Sequence, residues 1–275
     1  MQGQRADGSP TVDDVSSSRR LHALITNDDG IDSPGLWALA AAVRDAGLDV
    51  RGRDRHVDAS GVGASVIAVR DNGSVRVHPR ELPGLADVPA YAVEGHPAFI
   101  VHSAARGWID PEPDIVVSGI NVGANVGRSV LHSGTVGAAL TATLHGWSAL
   151  AVSLDSGLRP EVDPHWETAA ALVTDVLDAL LARDRGTVFS LNVPDVAPDR
   201  LGELREARLS AFGQVQVRVE HRDGTSHGTL HASVVDAERE FEPDSDIALL
   251  AQGHPTLTQL ESINHVPGVL AAVRS

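Results

Sequence analysis

Two adjacent carboxylates, Asp28 and Asp29, follow directly on a short apolar run over residues 21–26. Neighbouring carboxylates repel each other, which costs free energy unless a cation or a shared proton compensates. A divalent cation is the simplest compensation, so the pair is a candidate metal site. Acidic residues also occur in turns and helix caps because of their geometry alone, and this stretch by itself does not decide between the two interpretations.

A second candidate site is Ser133-Gly134-Thr135, which stands immediately before a helical pattern of apolar residues. Backbone N–H groups at a helix N-terminus, helped by two hydroxyls, form a ready anion site. The alternative is that Ser133 is only the helix N-cap. The glycine-rich stretch over 118–142 that contains this triplet matches neither the dinucleotide-binding fingerprint nor the P-loop motif.

A third stretch, Ser60 to Ser65, combines serine with glycine. Such a stretch lets backbone N–H groups and hydroxyls approach a ligand closely, but the same composition suits a flexible loop. The sequence alone leaves both interpretations open.

Composition narrows the function classes. The 275 residues include no cysteine, which excludes disulfides, thiolate metal sites and a cysteine nucleophile, and they include no lysine, so arginine supplies the permanently cationic side chains. A formal net charge of −15 disfavours binding to a nucleic-acid duplex, because such binding comes mostly from neutralising phosphates. An anionic substrate would therefore need positive potential from a metal, from backbone N–H groups or from a few arginines. No stretch approaches the roughly 20 apolar residues of a membrane span, and we expect a cytoplasmic protein.

The elements that must position these residues alternate between strand and helix. Residues 21–26 read as a buried strand, residues 27–30 as a turn, and Ser33-Pro34 as a helix start. The acids therefore stand at the carboxyl end of a strand, where open α/β sheets bind ligands. Further strands are predicted over 113–119, 149–154 and 187–194, with a long helix over about 164–182. This order predicts an α/β fold with a Rossmann-like, doubly wound and mostly parallel sheet.

Three regions follow from this pattern. Residues 1–20 are polar and lack the apolar segment of a secretory signal, so we expect a disordered tail there. Residues 21–198 form the predicted catalytic core. Residues 199–275 carry a predicted β-hairpin around Asp223-Gly224 and a short helix over 244–251, and we expect them to form a C-terminal extension that serves oligomer contacts.

The chain resembles the SurE family of survival-protein nucleotidases. The matching motifs are N-D-D-G at 27–30, S-P-G at 33–35, P-D-I-V-V-S-G-I-N-V-G at 113–123 with Asn125 and Gly127, S-G-T-V at 133–136 and A-L-A-V-S at 149–153. Asn192-Val193-Pro194 extends the likeness. The departures include four residues between Asp54-Arg55 and Ser60-Gly61, where the family usually has two.

The resemblance implies a metal-dependent 5′/3′-nucleotidase that assembles as a homodimer or homotetramer. The implied metal ligands are Asp28, Asp29, Ser60 and Asn121, whose oxygens suit Mg²⁺ or Mn²⁺. Asp28 and Asp29 are the candidate catalytic residues, and the sequence does not separate ligand from base. The residues expected to bind the phosphate or the substrate are Asn27, Asn125, Ser133, Gly134 and Thr135.

Two alternatives stay open at this point. The same site could act on another small phosphate ester or on polyphosphate, because no residue considered above defines the leaving group. A non-catalytic protein that binds a phosphate ligand is the second alternative. Two carboxylates facing an anion would repel it unless a metal is present, so Asp28 and Asp29 beside Ser133 and Thr135 favour metal-assisted hydrolysis over binding alone.

Overall fold

A computed structural model describes residues 20–52, 74–157, 163–211, 215–221, 230–236, 241–263 and 265. The predicted tail, apart from Arg20, and the stretch that contains Ser60 lie outside these residues. The strands in chain order are β1 (His22–Thr26), β2 (Asp49–Gly52), β3 (Val77–Arg80), β4 (Ala90–Val93), β5 (Ile115–Val122), β6 (Ser148–Asp155), β7 (Val188–Pro194), β8 (Arg205–Glu206), β9 (Val215–His221), β10 (Leu230–Asp236) and β11 (Thr256–Leu260). The helices are α1 (Pro34–Asp45), α2 (Pro97–Ser103), α3 (Gly134–Thr143), α4 (Trp166–Leu181) and α5 (Asp246–Ala251).

The central sheet has seven strands in the order β2-β1-β5-β6-β7-β11-β8. The five strands from β2 to β7 are parallel to one another, whereas β11 runs antiparallel to β7. This arrangement confirms the predicted Rossmann-like, mostly parallel sheet.

Helices cover both faces of the sheet, because its strands are apolar on both sides. Ala23 and Ile25 of β1 point into the core shared with α1 and α4, whereas Leu24 between them points into the core shared with α2 and α3. The predicted start of α1 is confirmed, with Ser33 as N-cap and Pro34 in the first turn. The described helices include none that is long and apolar enough to cross a membrane.

Between residues 74 and 96, β3 and β4 form a separate sheet, in which they pair antiparallel with each other. The chain then returns through α2 to β5, the strand that leads into the second candidate site.

The C-terminal extension contributes to the sheet as well as to the predicted hairpin. The hairpin is confirmed as the antiparallel pair β9 and β10. Two further strands, β11 and β8, add to the sheet beyond β7. The division of the chain at residue 198 and the role of the extension in oligomer contacts stay predictions.

A buried carboxylate ties this extension to the core. Asp246, at the start of α5, is 1% exposed and accepts backbone N–H bonds from Gly127 (2.7 Å), Ser210 (3.0 Å) and Ile247 (2.8 Å). Burial raises the pKa of Asp246 above its usual value, while the N–H donors act in the opposite direction. The loop that follows β5 is thereby attached to the extension.

Replacing Asp246 by alanine should therefore destabilise the fold strongly. Three buried N–H groups would lose their acceptor, and we expect a loss of about 2–4 kcal/mol in the free energy of unfolding. Urea denaturation followed by circular dichroism measures this loss. The exposed Asp199 is a matched control, because its replacement by alanine should change stability by less than about 0.5 kcal/mol. A loss of stability in Asp246→Ala as small as that of the control would contradict this structural role of Asp246.

The contribution of Asp246 should also depend on pH. Because its pKa in the folded protein lies above the usual 3.8, the folded state binds more protons than the unfolded chain between the two values. Stability relative to the non-titrating Asp246→Asn variant should therefore fall as pH rises through that window. Unfolding of both proteins from about pH 4 to pH 7 tests this. A relative stability that rises with pH would mean that the N–H donors outweigh burial.

Candidate active site

The candidate residues meet at the carboxyl edge of the sheet. Asp28 and Asp29 follow β1, and Asn121 lies near the end of the neighbouring parallel strand β5. Thr135 lies in the first turn of α3, which the chain enters after leaving β5. The parallel pairing of β1 with β5 is the reason that residues more than ninety positions apart in sequence come together.

Thr135 connects Asp28 with Asn121. Its hydroxyl donates to Asp28 Oδ1 at 2.7 Å and lies 3.1 Å from Asn121 Oδ1. The amide nitrogen of Asn121 donates to the carbonyls of Val122 (2.9 Å) and Gly123 (2.8 Å). These two bonds determine the orientation of the carboxamide, so that its oxygen, the atom able to bind a cation, faces Thr135 and Asp28.

Gly134 makes room for Asp28 at the start of α3. A Cβ atom at this position would overlap Asp28 Oδ2. Only glycine therefore allows the carboxylate to lie against the first turn of the helix, where the positive end of the helix dipole stabilises negative charge.

Asp29 experiences the repulsion of its neighbour. Its Oδ2 accepts the N–H of Val122 at 3.0 Å, which favours the charged form. The residue has an exposed edge, but the protein that surrounds the carboxyl, followed by the charge of Asp28, raises the pKa of Asp29 to about 6. The two carboxylates therefore do not ionise together at low cost without a compensating positive charge.

The start of α3 uses one hydroxyl as a cap. Ser133 Oγ accepts the N–H of Val136 at 3.0 Å, which confirms Ser133 as N-cap. The first N–H groups of any helix have no partner within the helix. In α3 these N–H groups belong to Gly134 and Thr135. These donors point toward the same edge that Asp28 occupies.

Asn125 is held by side chains from two other strands. Its backbone N–H donates to Asn192 Oδ1 at 2.8 Å, and its carbonyl accepts from Asn192 Nδ2 at 3.0 Å. Its own carboxamide nitrogen donates to Ser153 Oγ at 2.9 Å. The candidate list from the sequence lacks Asn192 and Ser153. The available signal was the same as for Asp28: a polar side chain near the carboxyl end of an apolar strand.

The remaining candidates lie elsewhere or outside the described residues. Asn27 is fully buried, and its amide nitrogen donates to the carbonyl of Gly30 at 3.3 Å, so it supports the turn after β1. Its Oδ1 atom is buried and has no hydrogen-bond partner among the described residues. Ser60 lies outside the residues that the structure describes, and its role as a ligand stays a prediction.

The donor atoms fit a hard divalent cation. Asp28, Asp29 and Asn121 offer carboxylate and amide oxygens, the atoms that Mg²⁺ and Mn²⁺ prefer. Within the described ranges there is no group of three or more His, Cys, Asp and Glu side chains that could hold a metal. A cation here would therefore depend on two carboxylates supplemented by amide or hydroxyl oxygens.

Comparisons with known proteins find related sequences over most of this chain. The family model described as Survival protein SurE matches residues 23–216. The 5′-nucleotidase SurE of Methylococcus capsulatus is 34% identical over 244 residues, which cover 88% of this chain and 91% of the relative. The 5′/3′-nucleotidase SurE of Citrobacter koseri is 32% identical, with 87% and 90% covered.

A solved structure shows the same fold. The crystal structure of the Sure protein from Aquifex aeolicus matches with a TM-score of 0.73 at 23% identity, over 92% of this chain and 98% of that one. The match of the family model over most of the chain, together with relatives more than 30% identical across nearly their whole length, identifies the family. This chain belongs to the SurE survival-protein family.

Proposed function

We propose that this protein is a metal-dependent phosphomonoester hydrolase that releases phosphate from nucleoside monophosphates. The observation that carries the proposal is the cluster of Asp28, Thr135 and Asn121 at the N-terminus of α3, where carboxylates and anion-binding N–H groups share one edge of the sheet. The relatives named 5′-nucleotidase and 5′/3′-nucleotidase support the choice of substrate.

Asp28, Asp29 and Asn121, together with Ser60, would hold a divalent cation, Mg²⁺ or Mn²⁺. When bound, such a cation polarises a phosphoryl oxygen and lowers the pKa of a water molecule. Burial, followed by the charge of Asp28, raises the pKa of Asp29 to about 6, and a cation bound between the two carboxylates would favour the charged form of both.

The chain's own residues bind and orient the phosphate. The N–H groups of Gly134 and Thr135 and the carboxamide of Asn125 are the donors for its oxygens. Thr135 also keeps Asp28 in one orientation through its hydroxyl, which leaves Asp28 Oδ2 beside Gly134. In a chain without lysine, these neutral donors supply positive potential that basic side chains would otherwise provide.

Phosphate release from a substrate panel tests this function. The panel contains nucleoside 5′- and 3′-monophosphates, sugar phosphates and short polyphosphate, each assayed with EDTA and again after Mg²⁺ or Mn²⁺ is restored. We expect release that requires the metal and is strongest on the nucleotides. Release that is strongest on polyphosphate would change the substrate class, and no release with any metal would contradict hydrolysis.

Asp28→Asn should abolish metal-dependent hydrolysis while the protein stays folded. Outer-shell partners of a metal typically contribute 10- to 100-fold, so removal of a ligand charge should lower kcat/KM by more than about 100-fold. Titration of Mn²⁺ by calorimetry should show weaker binding in the variant. Its melting temperature should match or exceed that of the metal-free wild type, because one of two repelling charges is gone. Undiminished hydrolysis would remove Asp28 from the mechanism.

Gly134→Ala should displace Asp28 without unfolding the helix. The new Cβ would overlap the carboxylate, while alanine itself is a better helix former than glycine. We expect a loss of about 100-fold in kcat/KM together with weaker Mn²⁺ binding. Thr143→Ala, at the opposite end of α3, is the control and should leave both quantities unchanged. Full activity in Gly134→Ala would show that Asp28 does not need its observed position.

A further inference from the structure

We propose that Asn192 is a positioning residue, which holds the backbone of Asn125 so that the Asn125 carboxamide faces the phosphate. This inference rests on the proposed function, because it assigns the support of one of its phosphate donors. Asn192 itself is 1% exposed and lies in β7, so it acts through Asn125 and does not touch the substrate.

The contact between the two asparagines is reciprocal. The carboxamide oxygen of Asn192 accepts from the N–H of Asn125 at 2.8 Å, and its nitrogen donates to the carbonyl of the same residue at 3.0 Å. A primary amide paired with both polar groups of one residue restrains that residue in the way that a neighbouring strand does. Both bonds also determine the orientation of the Asn192 amide, because a flipped amide would place donor against donor.

A second contact orients the side chain of Asn125. Its carboxamide nitrogen donates one hydrogen to Ser153 Oγ at 2.9 Å, and a carboxamide nitrogen carries two hydrogens. Among the described residues, Ser153 Oγ is the acceptor for this nitrogen, and we assign its second hydrogen to the phosphate. Asn125 is only partly buried, whereas Ser153 is 1% exposed, so the supporting residue is enclosed and the supported residue is accessible.

The sheet register explains why these two supports occur together. Ser153 of β6 and Asn192 of β7 are direct neighbours across the two parallel strands. The loop after β5 crosses the ends of both strands, and the N–H of Gly123 donates to the carbonyl of Leu154 at 2.8 Å. Buried polar side chains in apolar strands cost free energy unless they are paired, and here the loop that carries Asn125 provides the partners.

A positioning role and a purely structural role predict different kinetics. If Asn192 aims a group that binds the phosphate equally in the ground state and the transition state, its loss raises KM and leaves kcat nearly unchanged. If Asn192 only stabilises the fold, its loss lowers the melting temperature without changing the phosphate affinity of the folded molecules. Phosphate affinity is therefore the deciding quantity.

The experiment measures binding of inorganic phosphate by calorimetry in the presence of Mg²⁺, together with KM, kcat and melting temperature. Asn192→Ala should raise the phosphate Kd and the KM by about 10- to 100-fold, the usual cost of misplacing a binding group by about an ångström. Ser190→Ala is the matched control, because it removes a buried hydroxyl two residues earlier on the same strand. It should leave Kd and KM unchanged.

A double-mutant cycle tests whether Asn192 acts through Asn125. The Asn125→Ala and Asn192→Ala double variant should bind phosphate no more weakly than Asn125→Ala alone, because residues that act as a unit are not additive. If Asn192→Ala does not fold, Asn192→Asp keeps the acceptor for the Asn125 N–H, loses the donor to its carbonyl, and should also raise the phosphate Kd. An unchanged Kd in a folded variant, or additive losses in the cycle, would overturn the positioning role.

The outcomes for the function and for the positioning role are distinguishable. A wild-type protein that binds phosphate but hydrolyses no ester would contradict the proposed function, while a raised Kd in Asn192→Ala would still support the positioning role. A wild-type protein that binds no phosphate would contradict both.

Discussion

The repulsion between Asp28 and Asp29 is the constraint on which the arrangement of the site depends. Two ionised carboxylates at one strand end repel each other, which raises the free energy of the folded protein. The surrounding groups offset this repulsion only in part. Thr135 donates a hydroxyl to Asp28, Val122 donates an N–H to Asp29, and α3 points its N-terminus at the pair. The pKa of Asp29 nevertheless stays raised, at about 6. Burial is the larger cause of this raised pKa and the charge of Asp28 the second, so added positive charge near the pair would favour ionisation of both carboxylates.

The topology of the sheet brings these groups together. Because β1 and β5 are parallel neighbours, Asp28 and Asn121 lie at the same carboxyl edge of the sheet. The chain leaves β5 at that edge and crosses toward β7, so the loop passes Ser153 and Asn192 before α3 begins. The proposed cation and phosphate sites and their supports therefore lie along one crossover connection, as expected where ligands bind beyond the strand ends of an open α/β sheet.

The sequence predicts the local features of this site well and the distant ones poorly. Residues 21–26 show an apolar run, and Ser133 stands directly before a helical pattern, so strand, acid pair and N-cap are all readable from nearby residues. Strand β5 extends to Val122, beyond the predicted end at Gly119, because a glycine is no reliable strand terminator. The pairs Asn125–Asn192 and Gly127–Asp246 lie 67 and 119 positions apart, and such contacts have no periodic pattern to reveal them.

The C-terminal extension contributes to the support of the candidate site. Its strand β11 pairs with β7, with Thr256 opposite Asn192, so β7 becomes an internal strand. Its helix α5 supplies Asp246, which holds Gly127 two residues beyond Asn125. The extension therefore restrains the loop over 123–127 from two directions, through the strand that carries Asn192 and through a buried carboxylate. A displacement of the extension would therefore also displace this loop, and with it the proposed phosphate donor Asn125.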